Sequence, residues 1–241
     1  MLTEVSYMDI TYLVLVLPCL ILAMWASANV NNTFKKYSSQ FSSRRITGAE
    51  AAQRVLASNG VTGVRIERVS GNLTDHYDPR ANVIRLSDSV YDSTSTAAIG
   101  VAAHEAGHAV QYAQHYAPIK IRAAIIPVTN FGSTLAMPLI LIGLLLPVLG
   151  FFSVALVYIG IACFSLSVIF QIITLPVEFN ASRRAMQTIE SAYLLTEEEQ
   201  KGARKTLRAA ALTYVAATAT AVAQLLRLIL LFGNRGSRRS R

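Results

Sequence analysis

Charge is what this chain has least of. Only 15% of its 241 residues are Asp, Glu, Lys or Arg, against about 25% in ordinary soluble domains. The scarcity is concentrated: from Ala123 to Val177 there is no Asp, Glu, Lys, Arg or His. A soluble core has no need of so long an uncharged stretch, whereas a bilayer takes about 20 apolar residues per helix. The run divides into two spans, near 127–147 and 152–175, with Pro147-Val148-Leu149-Gly150 as the turn of a hairpin. Cysteine is almost missing too. Cys19 and Cys163 both fall in apolar stretches, where isolated cysteines serve packing and cannot reach an aqueous metal site. Internal repeats, phosphate-cradling glycine loops and low-complexity segments are all lacking, which removes the functions they carry.

Basic residues are missing where a secretory leader would need them. Positions 1–9 hold Glu4 and Asp9 but no Lys or Arg, although Ala26-Ser27-Ala28 resembles a cleavage site. Ile10 to Ala28 therefore reads as an uncleaved anchor, with Trp25 as an interfacial aromatic. Lys35, Lys36, Arg44 and Arg45 follow it, which places the next domain in the cytoplasm. The net charge of +8 gathers beside apolar stretches, where anionic lipid and topology account for it; no nucleic-acid partner is expected. Ala209 to Phe232 is long enough to span, yet it carries Gln224 and Arg227. A fourth span would also push the basic tail, Asn234 to Arg241, outside. An interfacial helix is the reading favoured here, with a span as the alternative.

Between the anchor and the hairpin lies a compact α/β segment. Thr47-Gly48-Ala49-Glu50 is a capping box that opens a helix through Ala57, stopped by Asn59-Gly60. Val64 to Val69 alternates as a half-buried strand does. Leu73 to Tyr77 and Val83 to Leu86 read as two more strands around the turn Asp78-Pro79-Arg80-Ala81-Asn82. Thr94 to His115 then reads as one alanine-rich helix, N-capped by Ser93, Thr94 or Ser95. Its two glycines, Gly100 and Gly107, mark close packing.

That helix carries His104-Glu105-Ala106-Gly107-His108. Residues four apart share a helix face, so both imidazoles can reach one tetrahedral Zn²⁺. Glu105 stands beside them, where it could take a proton from a water on the ion. A catalytic zinc needs a third protein ligand. Gln111 and Gln114 exclude the longer metzincin motif. His115 lies seven residues past His108, about 10 Å along the axis, which leaves it an interfacial or capping role. Of the carboxylates, Glu178 is the best placed, as the first charge after the apolar run and just beyond Pro176, which sets up a new helical turn. Glu190 and the helix start Glu197-Glu198-Glu199 are the alternatives.

Asp75-His76-Tyr77-Asp78-Pro79, Arg85-Leu86-Ser87, Ala102 to Gln111 and Pro176 to Ala185 together resemble the YugP-like family of bacterial membrane zinc metallopeptidases, over nearly the whole chain. The resemblance implies a zincin-like, gluzincin-type peptidase with one Zn²⁺. It implies His104, His108 and Glu178 as ligands and Glu105 as catalytic acid/base. In the similar glutamate segment of larger membrane gluzincins an Asp commonly follows the ligand by four residues; here that place is Ser182, whose hydroxyl supports a ligand more weakly. His76, Tyr77 and Arg183 are candidate oxyanion donors.

The expected protein is predominantly α-helical and integral to the membrane, with a small zincin-like α+β catalytic domain. Its layout is an anchor (1–29), a catalytic domain (30–122), a transmembrane hairpin (123–177), a third-ligand helix with a basic segment (178–208) and a C-terminal apolar helix with a basic tail (209–241). The expected function is hydrolysis of membrane-associated or misfolded proteins at a multi-pass bacterial membrane, on the cytoplasmic side. Two other readings are a site-2-type intramembrane protease and a non-enzymatic membrane assembly factor that retains the metal.

Overall fold

The computed structural model describes residues 10–233. Glu4, Asp9 and the basic tail from Asn234, used above for topology, lie outside the described residues. A π-helical turn (Tyr12–Val16) leads into α1 (Leu17–Ser38). Then come α2 (Gly48–Ser58), β1 (Arg65–Val69), β2 (His76–Asp78), β3 (Val83–Ser87) and α3 (Thr96–Ala113). Three long helices complete the chain: α4 (Ala117–Leu145), α5 (Phe151–Ser191) and α6 (Glu197–Phe232). The fold class is as expected: mostly helix, with one small three-stranded sheet. Among the described residues, four helices are long and apolar enough to cross a membrane, namely Tyr12–Ser38, α4, α5 and α6, and α3 is not one of them.

The chain divides into two units. One gathers residues 1–25, 121–174 and 214–241, the other 26–120 and 175–213. In the first, the α4–α5 hairpin turns through a 3₁₀ turn, Pro147–Leu149, and Gly150 at φ +55, as the Pro-Val-Leu-Gly sequence implies. Small residues let these helices touch: a Cβ on Gly160 would lie 2.8 Å from the Ala136 carbonyl oxygen. The end of α6 packs in the same unit. Leu228 and Phe232 cluster with Ile140 and Val157, and the Tyr158 hydroxyl donates to the Phe232 carbonyl at 3.0 Å. The Arg227 guanidinium, the residue that argued against a span, sits over the Tyr12 ring, 5.2 Å from its centroid.

The second unit is the α+β part. Thr47 and Glu50 form the capping box of α2, and the Ser95 hydroxyl accepts from the Ala98 N–H to start α3. The sheet order is β1-β3-β2. β3 pairs parallel with β1 and antiparallel with β2, so β3 is the centre and Val83, Ile84 and Leu86 are fully buried. Alternation in the sequence marks strands but not their partners, and the parallel pairing is a result of the fold. The core joins Ile84 and Leu86 to Val55 and Leu56 of α2, to Ala102, Ala103, Ala106 and Ala109 of α3, and to Ala185 and Ile189 of α5. One local expectation is corrected. Pro176 does not begin a new helix; α5 runs on through it to Ser191. In a long helix packed among neighbours, the one carbonyl freed by proline finds other partners, so the helix continues.

Candidate metal centre

α3 holds His104 and His108 on one face with their rings edge to face, centroids 4.7 Å apart at 84°. Glu178 reaches them from α5. Its Oε2 lies 3.2 Å from His104 Nε2 and 3.5 Å from His108 Nε2. Among the described residues, these three side chains form a group that could hold one metal ion. Their spacing can be checked against zinc chemistry. Ligands about 2.0–2.1 Å from a tetrahedral ion lie about 3.3 Å from one another, and the observed separations bracket that value. Two imidazole nitrogens and one carboxylate leave the fourth position open, which is the donor set of catalytic rather than structural zinc.

The approach of α5 depends on a glycine. A Cβ on Gly107 would lie 2.7 Å from the Ala181 carbonyl oxygen, so only glycine lets the two backbones come this close. Gly100 likewise faces Ala203, at 3.3 Å. Close packing, the reason inferred for both glycines, holds at each.

Behind the three donors lies a layer of hydrogen bonds. His104 Nδ1 is 3.0 Å from the Ser182 hydroxyl. His108 Nδ1 is 3.1 Å from Gln111 Oε1. The Gln111 amide nitrogen donates to the Val177 carbonyl and to Asn180 Oδ1, both at 2.9 Å. Arg184 Nε donates to the same Asn180 oxygen at 2.7 Å. Both histidines thus turn Nε2 toward Glu178 and Nδ1 toward supporting groups. The sequence reading gives Gln111 no part in holding a ligand and does not single out Asn180. A usable signal was there: Gln111 is a polar residue one turn past His108 in a helix otherwise lined with alanine.

The electrostatics favour a cation. Burial alone pushes the His108 imidazole down, but the Glu178 carboxylate, the Glu105 charge and the Gln111 hydrogen bond outweigh it and hold its pKa above the usual histidine value. Glu105, next along α3, is half-buried. Its charge is felt by Asp75, whose carboxyl is raised chiefly by burial, with Ser87 opposing and Glu105 adding to the rise. Asp75 accepts from the Ser87 N–H at 2.7 Å and from the Ser87 hydroxyl at 2.9 Å. This bond pair ties the start of β2 to the end of β3.

The remaining candidates are placed elsewhere. Glu190 pairs with Arg204. Glu199 closes a capping box with Thr196 and accepts from the Ser43 N–H at 2.7 Å. Glu198 pairs with Lys201. His115 lies just past the end of α3 at φ +55, its N–H closing a turn on the Tyr112 carbonyl. Of the oxyanion candidates, Tyr77 spends its hydroxyl on Asn82, and Arg183 lines a polar cavity of about 430 Å³ beside Asn180 and Arg184. His76 is exposed on the edge strand β2, with Nδ1 2.9 Å from the Thr74 carbonyl.

Residues 12–233 match the model of a protein family described as "putative neutral zinc metallopeptidase". The chain belongs to that family. It is also 47% identical over 223 residues to a Bacillus subtilis (strain 168) protein named "Putative membrane protease YugP", covering 92% of this chain and 97% of that protein. No solved structure matches. Membership agrees with the expected family resemblance, and the matched region includes every residue of the candidate centre.

Proposed function

We propose that the protein is a membrane-anchored zinc endopeptidase whose centre is His104, His108 and Glu178, with Glu105 as the acid/base. The observation that carries this is the spacing of the three donor atoms, which suits one tetrahedral ion, beside a carboxylate on the same helix. Zinc at this centre supplies a Lewis acid that activates water and polarises the scissile carbonyl. The chain's own groups do the rest. Glu105 accepts a proton from the attacking water and returns it to the leaving amine. Glu178 and the two imidazoles keep the donor set at a single net negative charge, which leaves the ion electrophilic. The sheet order leaves β2 with a free edge, and β2 lies against α3. An extended substrate strand pairing there would run past the histidines, the edge pairing by which sheets bind peptides. His76, on that edge, is the oxyanion donor of this reading.

Substrates are membrane-associated or misfolded proteins that reach the site as extended segments. The basic residues Lys35, Lys36, Arg44 and Arg45 after the first apolar helix support a cytoplasmic catalytic unit in a multi-pass bacterial membrane protein. The test is the full-length protein in detergent or nanodiscs. Wild type should bind one zinc per chain, lose peptidase activity to a chelator and regain it with zinc. Glu105→Gln should keep the zinc and lose activity by at least about 100-fold. Retained proteolysis in Glu105→Gln would overturn the mechanism. A zinc-loaded wild type inert toward unfolded and membrane substrates would instead favour a non-enzymatic assembly role.

A further inference from the structure

Gln111 is fully buried one turn past His108 on α3, so its amide must answer to its partners rather than to solvent. The orientation of that amide can be worked out without seeing a hydrogen. Val177 O is a backbone carbonyl and can only accept, so the Gln111 atom 2.9 Å away must be the NH₂. Asn180 Oδ1 is identified in the same way, because Arg184 can only donate and its Nε lies 2.7 Å from that atom. The second proton of the Gln111 NH₂ therefore goes to Asn180 Oδ1. What remains to face His108 is the Gln111 carbonyl oxygen, 3.1 Å from Nδ1. An acceptor there requires Nδ1 to carry a proton, so in the neutral imidazole, the form that binds a metal, the lone pair of His108 lies on Nε2, the atom turned toward Glu178.

We propose that Gln111 is a positioning residue of the metal centre, fixing His108 in the Nδ1–H tautomer so that Nε2 is always the metal-facing donor. The inference rests on the zinc reading above. A carbonyl acceptor and a guanidinium donor at the two ends determine the direction of every bond between them, so the network has one arrangement. The other histidine is held differently. Ser182, 3.0 Å from His104 Nδ1, can donate or accept by rotating its hydroxyl, so it does not choose a tautomer. The centre thus has one ligand with an imposed tautomer and one left free.

The chain contains four histidines, few enough for ¹⁵N-histidine spectra of the full-length protein in detergent to be assigned by substitution. Metal-free wild type, at a pH where the rings are neutral, should show His108 protonated at Nδ1. A dominant Nε2–H form would overturn the proposal. Zinc affinity, read by competition with a chromophoric chelator, should fall about 10- to 100-fold in Gln111→Leu. In metal-free Gln111→Leu the His108 tautomer preference should be lost, with the Nε2–H form populated beside Nδ1–H. Unchanged zinc affinity in Gln111→Leu, or an unchanged tautomer spectrum, would reduce Gln111 to packing and sink the idea. If Gln111→Leu does not fold, the wild-type spectrum decides the matter. If wild type binds no zinc, the metal reading falls, while the tautomer spectrum still tests the Gln111–His108 bond.

Discussion

Gly107→Ala is the sharpest perturbation of the centre, because it adds one methyl where α3 meets α5 and touches no ligand. The added Cβ would lie 2.7 Å from the Ala181 carbonyl oxygen, whereas ordinary contact starts near 3.4 Å. The backbones must part by about 0.7 Å. Ala181 is less than one turn from Glu178 on the same helix. If α5 takes up the whole shift, the Glu178-to-imidazole distances of 3.2 and 3.5 Å open to about 4 Å, against a tolerance of about 0.2 Å per zinc bond. Drawing the helices back together around the ion restores the overpacking strain, about 1–3 kcal/mol. Zinc affinity should therefore fall about 5- to 150-fold. Stability of the metal-free protein should change little. The strain is relieved by the parting, and alanine gains about 1 kcal/mol of helix propensity over glycine. Gly100→Ala is the control: its Cβ would meet Ala203 at 3.3 Å, far enough for small adjustments, and it should leave zinc binding alone. Chelator competition and thermal unfolding of the three proteins in detergent measure both quantities. Wild-type zinc affinity in Gly107→Ala would refute the idea that the close approach sets the donor geometry.

Two further outcomes are expected. Glu199→Ala removes a helix cap and orphans the Ser43 and Thr196 N–H groups, so thermal unfolding should report a loss of about 0.5–2 kcal/mol with zinc stoichiometry intact; loss of the zinc would return Glu199 to the ligand set. If all four long apolar helices cross, tags at the two chain ends should be accessible from the same side of the membrane; accessibility from opposite sides would support the interfacial reading of the C-terminal helix.

Much of this arrangement could be read from the sequence because the signals were local. A Thr and a Glu three residues apart cap a helix wherever they occur, and the boundaries of α2 and α3 follow from such caps. The uncharged run and its Pro-Val-Leu-Gly turn gave the hairpin by length alone. Glu178 stood out by position, as the first charge after the uncharged run, and the fold brings it to His104 and His108. What escaped was set by contacts between distant segments. The parallel partner of β1 is not encoded in its own alternation. Pro176 carries a helix-starting signal that tertiary packing overrode. Arg227 and Gln224 argue for an interfacial helix from the sequence alone; that the Arg227 guanidinium lies over the Tyr12 ring is a contact no local pattern announces. Gln111 was visible as a polar residue out of place; which of its atoms faces His108 depends on Val177, 66 positions away.

The alanines of α3 bear on how such a protein can diverge. Ala102, Ala103 and Ala106 are completely buried and Ala109 nearly so, all of them part of the core. Larger side chains there would force the helices apart, so these positions admit substitution only by residues of similar size. Variation is therefore expected at the exposed margins: the outer edge of β2, the turn after it and the arginine-lined surface of α5. In this architecture the candidate centre is fixed in place, and novelty is confined to the surfaces around it.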